Sequence, residues 1–286
     1  MEEWRIEMFR TRLLSGIVLM AIAIASLVYG GYVLFGLIMA ISVIGLFELY
    51  RTVGMEKSLP AVAGYLSSIV LDVLLLNRAS LLTDTTENAI RYAKYHEYII
   101  LWLVLTLIVF MAMYVIAYPK YHANQITMLV FGLIYVTVML SFVFRLRYVE
   151  NGILYVWLIF IGAWGSDTCA YCVGKLLGKH KMPSELSPNK TIEGCAGGVI
   201  GAALIGFLFA LAFFQDANYW WQFAVIGGVS SVISQIGDLA ASAIKRNHDI
   251  KDYGKLIPGH GGILDRFDSI IFISPIVYYF VIFFGL

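Results

Sequence analysis

Nine stretches of this chain are apolar and long enough to cross a lipid bilayer: residues 13–29, 31–50, 58–77, 98–117, 125–144, 151–173, 195–214, 219–244 and 268–285. A span needs about 20 such residues, because a helix rises about 1.5 Å per residue through a hydrocarbon layer roughly 30 Å thick. Inside that layer every backbone N–H and C=O must be satisfied by protein, and a helix does so within one segment. The pattern predicts an all-α, polytopic integral membrane protein with about nine transmembrane helices. Charge agrees: 14% of the residues are charged, where a soluble domain carries about a quarter.

The first two runs are separated only by Gly30, Gly31 and their neighbours, so a tight helical hairpin is expected there. The preceding MEEWRIEMFRTR is charged and weakly amphipathic, which suits the membrane interface. The first run is long and leads straight into the second, so no cleavable signal peptide is expected. Lys and Arg placement sets orientation. With the N-terminus inside, fifteen basic residues face the cytoplasm, while Arg78, Arg91, Lys94, Arg145 and Arg147 face out. This predicts a cytoplasmic N-terminus and a C-terminus on the outer side of the cell membrane. Cys169, Cys172 and Cys195 all lie in or beside apolar runs, which argues against a disulfide framework. The C-x-x-C pair has no second pair or nearby His to complete a metal site, so both cysteines read as small helix-packing residues.

Polar residues divide the chain. Residues 1–150 read as plain spans with short loops, apart from one long outer loop over 78–97; they suit scaffold, dimer and lipid contacts. Residues 151–286 hold the candidate chemistry, projecting to a polar cavity on the cytoplasmic side. Asp238, with Ser242 and Lys245 on the same helical face, lies about two turns before the inner end of its span. An ionisable residue inside a span is a functional candidate, although an intrahelical Asp–Lys contact also accounts for it. Asp265 and Asp268, one turn apart, put two carboxylates on one side of a starting helix. With Asp238 they suit a hard divalent cation such as Mg²⁺, which takes one or two carboxylates plus waters and phosphate oxygens. Helix capping explains one of them comfortably, not the set.

Lys245, Arg246, Lys251, Lys255 and Arg266 surround the aspartates, and Lys190 lies in the other inside loop, SPNKTIEG. Basic groups interleaved with carboxylates suit a metal–polyphosphate complex. Gly259, Gly261 and Gly262 would let backbone N–H groups approach an anion at a helix N-terminus, and His260 would contact phosphate or hold structure. Asp167 and Tyr171 would line the same cavity or bridge two helices. The glycines of GCAGGVIGAALIG read as close helix packing. This local chemistry points to metal-dependent phosphoryl or nucleotidyl transfer, without naming the nucleotide or the acceptor. No nucleic-acid partner is expected.

One stretch of 27 residues is more specific. Ser242-Ala-Ile-Lys245-Arg246, then Lys251-Asp252-x-Gly254-x-x-Ile257-Pro258-x-His260-Gly261-Gly262-Ile263-x-Asp265-Arg266-Phe267-Asp268, closely resembles the signature of the phosphatidate cytidylyltransferases. Asp167-x-x-Ala170-Tyr171-x-x-Gly174-Lys175 and Ser187-Pro188-x-Lys190-Thr191-x-Glu193-Gly194 resemble the same family, with Asn189 where a second Lys is common. The resemblance implies Mg²⁺-dependent conversion of CTP and phosphatidic acid to CDP-diacylglycerol and pyrophosphate, by a membrane homodimer. It implies Asp238, Asp265 and Asp268 as metal ligands, with a second metal ion in the same acidic cluster as an added expectation. Lys245 would act with them in catalysis. Lys190, Arg246, Lys251, Lys255, His260, Gly261, Gly262, Arg266, Ser242, Asp167 and Tyr171 would meet substrate.

Two other readings differ in what they predict. A CTP-dependent lipid kinase of the polyprenol or phytol type would release CDP rather than pyrophosphate. An ion-coupled transporter expects charges near the midplane and symmetry between halves; here the charges gather at one face of the C-terminal half, with no internal repeat.

Overall fold

A computed structural model describes residues 2–79, 86–182, 186–188, 190–214, 217–259 and 261–286, with side chains described throughout except at 2–13, 76–79, 86–96 and 217–218. The helices are α1 (Glu2–Tyr29), α2 (Gly31–Thr52), α3 (Leu59–Ala79), α4 (Thr86–Ile116), α5 (Ala123–Gly132), α6 (Met139–Arg147), α7 (Gly152–Phe160), α8 (Ser166–Leu177), α9 (Ile192–Phe213), α10 (Ala217–Asn247) and α11 (Leu264–Phe284). π-Helical turns at Leu133–Val138 and Ile161–Gly165 join α5 to α6 and α7 to α8, giving single long rods. Among the described residues seven rods are long and apolar enough to span a membrane. Two shorter apolar helices, Leu14–Tyr29 and Leu59–Leu75, cover the remaining two runs expected from the sequence. The protein is an all-α polytopic membrane protein.

One stretch differs from the sequence expectation. The loop placed over 78–97 is largely helical, because α3 runs to Ala79 and α4 begins at Thr86. The cause is local: TENAIRYAKYHEY has no Gly or Pro, and its Glu, Ala, Arg and Lys residues favour helix, so the helix continues past its apolar part. The expected hairpin does form at Gly30 (φ 62°) and Gly31 (φ 52°). Both glycines adopt the positive φ that other residues avoid, and the Gly30 N–H donates to the Ser26 carbonyl at 2.8 Å.

The chain divides into two compact units, Met1–Arg145 with Asp252–Arg266, and Leu146–Lys251 with Phe267–Leu286. The segment 252–266, which carries much of the signature, thus belongs with the N-terminal helices rather than with the rest of the C-terminal half. In the first unit α2, α3 and α5 converge on Tyr50, which is fully buried. Its hydroxyl donates to the Leu129 carbonyl at 3.0 Å and its ring stacks on Tyr65 at 5.5 Å. Gly64 and Gly132 make room for that ring: a Cβ would lie 2.7 Å and 2.8 Å from Tyr50 atoms.

In the second unit α9 is packed between α8 and α10 through small residues. A Cβ on Gly198 would lie 3.1 Å from the Ser166 carbonyl, and one on Gly201 would collide with Cys169. On the other side, Cβ atoms on Gly206 and Gly227 would come 2.5 Å from the carbonyls of Phe223 and Ala202. Cys169, Cys172 and Cys195 are free thiols. Two polar contacts join these helices. Ser166 and Ser231 share a hydrogen bond of 2.6 Å, and Gln235 donates to the Cys195 carbonyl at 3.1 Å.

Candidate active site

In the second unit, the turn leading into α9 is built to present one lysine. Thr191 caps α9 by accepting the Gly194 N–H at 3.1 Å, the preferred role for a hydroxyl there. Beside it the backbone pairs back on itself: the Met182 N–H donates to the Lys190 carbonyl and the Ile192 N–H to the His180 carbonyl, both at 2.9 Å. Glu193 closes the turn by accepting the His180 backbone N–H at 3.2 Å. So held, the Lys190 ammonium reaches Asp238 of α10 at 2.5 Å. The pair joins Lys190 of the turn before α9 to the SQIGD stretch, and its side chains remain 28% and 38% exposed.

The end of α10 carries more positive charge. Lys245 and Arg246 occupy its last turn. The Ile250 N–H returns to the Lys245 carbonyl at 3.0 Å, and Arg246 donates to the Ile250 carbonyl at 3.1 Å. Asp249 supplies the left-handed residue (φ 53°) of this ending. Ser242 is half-buried one turn earlier, and Lys251 is exposed. On α8, Asp167 and Tyr171 are exposed one turn apart, with the Lys175 ammonium 5.9 Å from the Tyr171 ring centre. Asp268, 8% exposed, accepts the Ser269 N–H at 2.7 Å. The Ser269 hydroxyl in turn donates to the Ser234 carbonyl of α10 at 3.4 Å.

In the first unit, the segment 252–266 folds around carboxylates. Asp265 Oδ2 accepts the N–H of Tyr253 at 2.8 Å and of Gly262 at 3.0 Å. Glu48 of α2 accepts the N–H of Ile263 at 3.1 Å and of Leu264 at 2.8 Å, one with each oxygen. Arg51, one turn on, donates to the Tyr253 carbonyl. Ser15 of α1 donates to the Pro258 carbonyl at 3.1 Å. Lys255 and Arg266 are exposed, whereas Asp265 is 8% exposed. His260 lies outside the described residues.

This geometry revises one expectation. The N–H groups at the start of α11 do not form an anion nest, since Gly261 donates to the Ile257 carbonyl and its successors donate to Asp265 and Glu48. The positive end of the helix is already met by an internal carboxylate. Gly262 answers a packing need instead, because a Cβ there would lie 2.5 Å from both Glu48 oxygens. Glu48 and Arg51 escaped the sequence reading. The available signal was the rule that ionisable residues within an apolar run are costly and so have a purpose.

Among the described residues no group of three or more His, Cys, Asp or Glu side chains is arranged to hold a metal ion by itself. The donor chemistry still suits Mg²⁺, for which one or two carboxylates suffice when water and substrate phosphates supply the remaining oxygens.

Residues 10–284 match the cytidylyltransferase family. The chain belongs to that family. Within the cytidylyltransferase family it is similar to the phosphatidate cytidylyltransferase of Bacillus subtilis (strain 168), with 34% identity over 279 residues, covering 96% of this chain and 98% of the relative. It is likewise similar to the phosphatidate cytidylyltransferase of Staphylococcus haemolyticus (strain JCSC1435), with 31% identity over 274 residues, 94% of this chain and 97% of the relative. A third relative of the same name, from Staphylococcus epidermidis (strain ATCC 12228 / FDA PCI 1200), is 30% identical over 273 residues, 94% and 97% of the two chains.

Proposed function

We propose that this membrane protein is a phosphatidate cytidylyltransferase, converting CTP and phosphatidic acid to CDP-diacylglycerol and pyrophosphate. The observation that carries this reading is full-length similarity to curated enzymes of that name, 34% identical over 96% of the chain. A phosphate oxygen of phosphatidic acid attacks the α-phosphorus of CTP, forming the new P–O–P linkage. The bond from the α-phosphorus to its bridging oxygen breaks, and pyrophosphate leaves with that electron pair. No covalent enzyme intermediate is required, because the acceptor is already an anionic nucleophile.

The main obstacle is bringing two polyanions together, so catalysis rests on positioning and charge stabilisation. Lys190, Lys245, Arg246, Lys251, Lys255 and Arg266 would meet phosphate oxygens, with Ser242, Asp167, Tyr171 and His260 as further polar contacts. One or two of the carboxylates Asp238, Asp265 and Asp268, with water and phosphate oxygens completing the shell, would hold Mg²⁺, and a second ion belongs to the same proposal. When bound, Mg²⁺ would neutralise phosphate charge. Phosphatidic acid would enter from the inner leaflet of the cell membrane, into a homodimer whose active sites face the cytoplasm. The deciding experiment is turnover of phosphatidate by the purified protein with each of the four nucleoside triphosphates and Mg²⁺. CTP-selective release of pyrophosphate with CDP-diacylglycerol is expected; release of CDP without pyrophosphate would point to a lipid kinase and sink the proposal.

A further inference from the structure

We infer that Glu48 and Arg51 of α2 are positioning residues for the cytidylyl-transfer site: they hold the segment 252–264 in its working shape and so aim Asp265. This rests on the function proposed above. Glu48 lies in an apolar span, is 3% exposed, and places one oxygen on each of two successive backbone amides, Ile263 and Leu264. A carboxylate removed from water to this degree is kept only where its hydrogen bonds are made. Arg51 adds a bond to the Tyr253 carbonyl, and the N–H of that same Tyr253 donates to Asp265 Oδ2 at 2.8 Å. Helix α2 therefore grips both ends of the segment, at Tyr253 and at Ile263–Leu264.

Two glycines of the signature are explained by the same carboxylate. A Cβ on Gly254 would strike Glu48 Oε1, and a Cβ on Gly262 would lie 2.5 Å from both of its oxygens. Neither glycine has a positive φ, so space rather than backbone conformation excludes a side chain. The consequence reaches Asp265, because Gly262 donates to Asp265 Oδ2 at 3.0 Å while packing against Glu48. If Glu48 shifts, Gly262 shifts, and the Asp265 carboxylate turns with it. With the first amides of α11 taken by Glu48, substrate phosphates must be met by side chains rather than by those amides.

The test uses the full-length enzyme in detergent. Glu48→Gln is nearly isosteric but sets an NH2 group against a backbone N–H. Loss of a supporting hydrogen-bond partner of this kind lowers activity by about tenfold to a hundredfold. We expect that drop in kcat/KM, a higher Mg²⁺ requirement for half-maximal rate, and faster amide hydrogen exchange over 252–264 without change in α9 or α10. A purely structural role would lower yield and melting temperature while leaving the surviving enzyme with wild-type KM, Mg²⁺ requirement and exchange; that result overturns the inference. Should Glu48→Gln fail to fold, Gly262→Ala keeps Glu48 and displaces it from the other side. It should reproduce the same losses, and wild-type behaviour of that variant also overturns the inference. A wild-type protein silent toward CTP and phosphatidate would sink the function instead, and the exchange comparison would still decide whether Glu48 holds the segment.

Discussion

At the scale of single residues, two carboxylates of the signature region differ in what they already do. Asp265 carries backbone: its Oδ2 accepts two N–H groups, so an alanine there removes a loop acceptor as well as a charge. Asp265→Asn separates these roles, since the amide oxygen still accepts while the negative charge is gone. We expect this variant to extract and melt like wild type and to lose Mg²⁺-dependent turnover; near-normal turnover would remove Asp265 from the proposed metal ligands. Asp238 is instead paired with Lys190, in a contact open enough to solvent that it contributes at most about 1 kcal/mol to stability. Lys190→Met should therefore leave the melting temperature nearly unchanged. Its kcat/KM should fall by about a hundredfold or more, the scale of losing one group that stabilises developing phosphate charge. A variant that melts much earlier but turns over normally would make Lys190 a brace rather than a substrate contact. Asp238, Lys190 and Asp265 stand out in the sequence as candidates from residue type and spacing. Glu48 is marked only by its place in an apolar run; its partners are backbone amides more than 200 positions away, which no local pattern can encode.

At the scale of elements, the apolar runs translated directly into helices, since in a membrane the backbone must satisfy itself within each segment. The glycines of α9 were also legible, as small residues at helical spacing mark close approach. What remained hidden was governed by packing or by polar helix propensity: the extension of α4 back to Thr86, the two π turns, and the allegiance of 252–266 to the N-terminal unit. The α9–α10 seam offers a direct check. A Cβ on Gly206 meets the Phe223 carbonyl at 2.5 Å, backbone against backbone, so neither side can yield by rotating a side chain. Gly206→Ala should destabilise by about 1–3 kcal/mol, the usual cost of overpacking. On α2, by contrast, nothing lies within 4 Å of a Cβ at Gly36. There Gly→Ala should be neutral or stabilise by about 0.5–1 kcal/mol, through reduced freedom of the unfolded chain and better helix propensity. Thermal unfolding of both variants in one detergent measures the contrast; equal effects would refute the packing account.

At the scale of the whole molecule, orientation decides whether the proposed chemistry is possible at all, because CTP is a cytoplasmic solute and phosphatidic acid a membrane one. Among the described residues, seven span-length rods and two shorter apolar helices would make nine crossings if each crosses once, and we expect the termini on opposite sides. The basic residues choose between the two orientations: with nine crossings, fifteen would fall in segments on the N-terminal side of the membrane and five on the other. Positive residues are preferentially retained in the cytoplasm during insertion, so we propose that the larger set marks the inside. Every phosphate-binding candidate named above belongs to that larger set. We therefore expect a C-terminal alkaline phosphatase fusion to be active and the matching fluorescent-protein fusion dark, with both results reversed for fusions placed after Lys251. Impermeant thiol reagents should label a cysteine introduced at Leu286 in intact cells, whereas one at Lys251 should react only after the membrane is opened. The opposite labelling pattern would place Lys190, Lys245 and Arg246 away from CTP, and the cytidylyl-transfer proposal would fall with the topology.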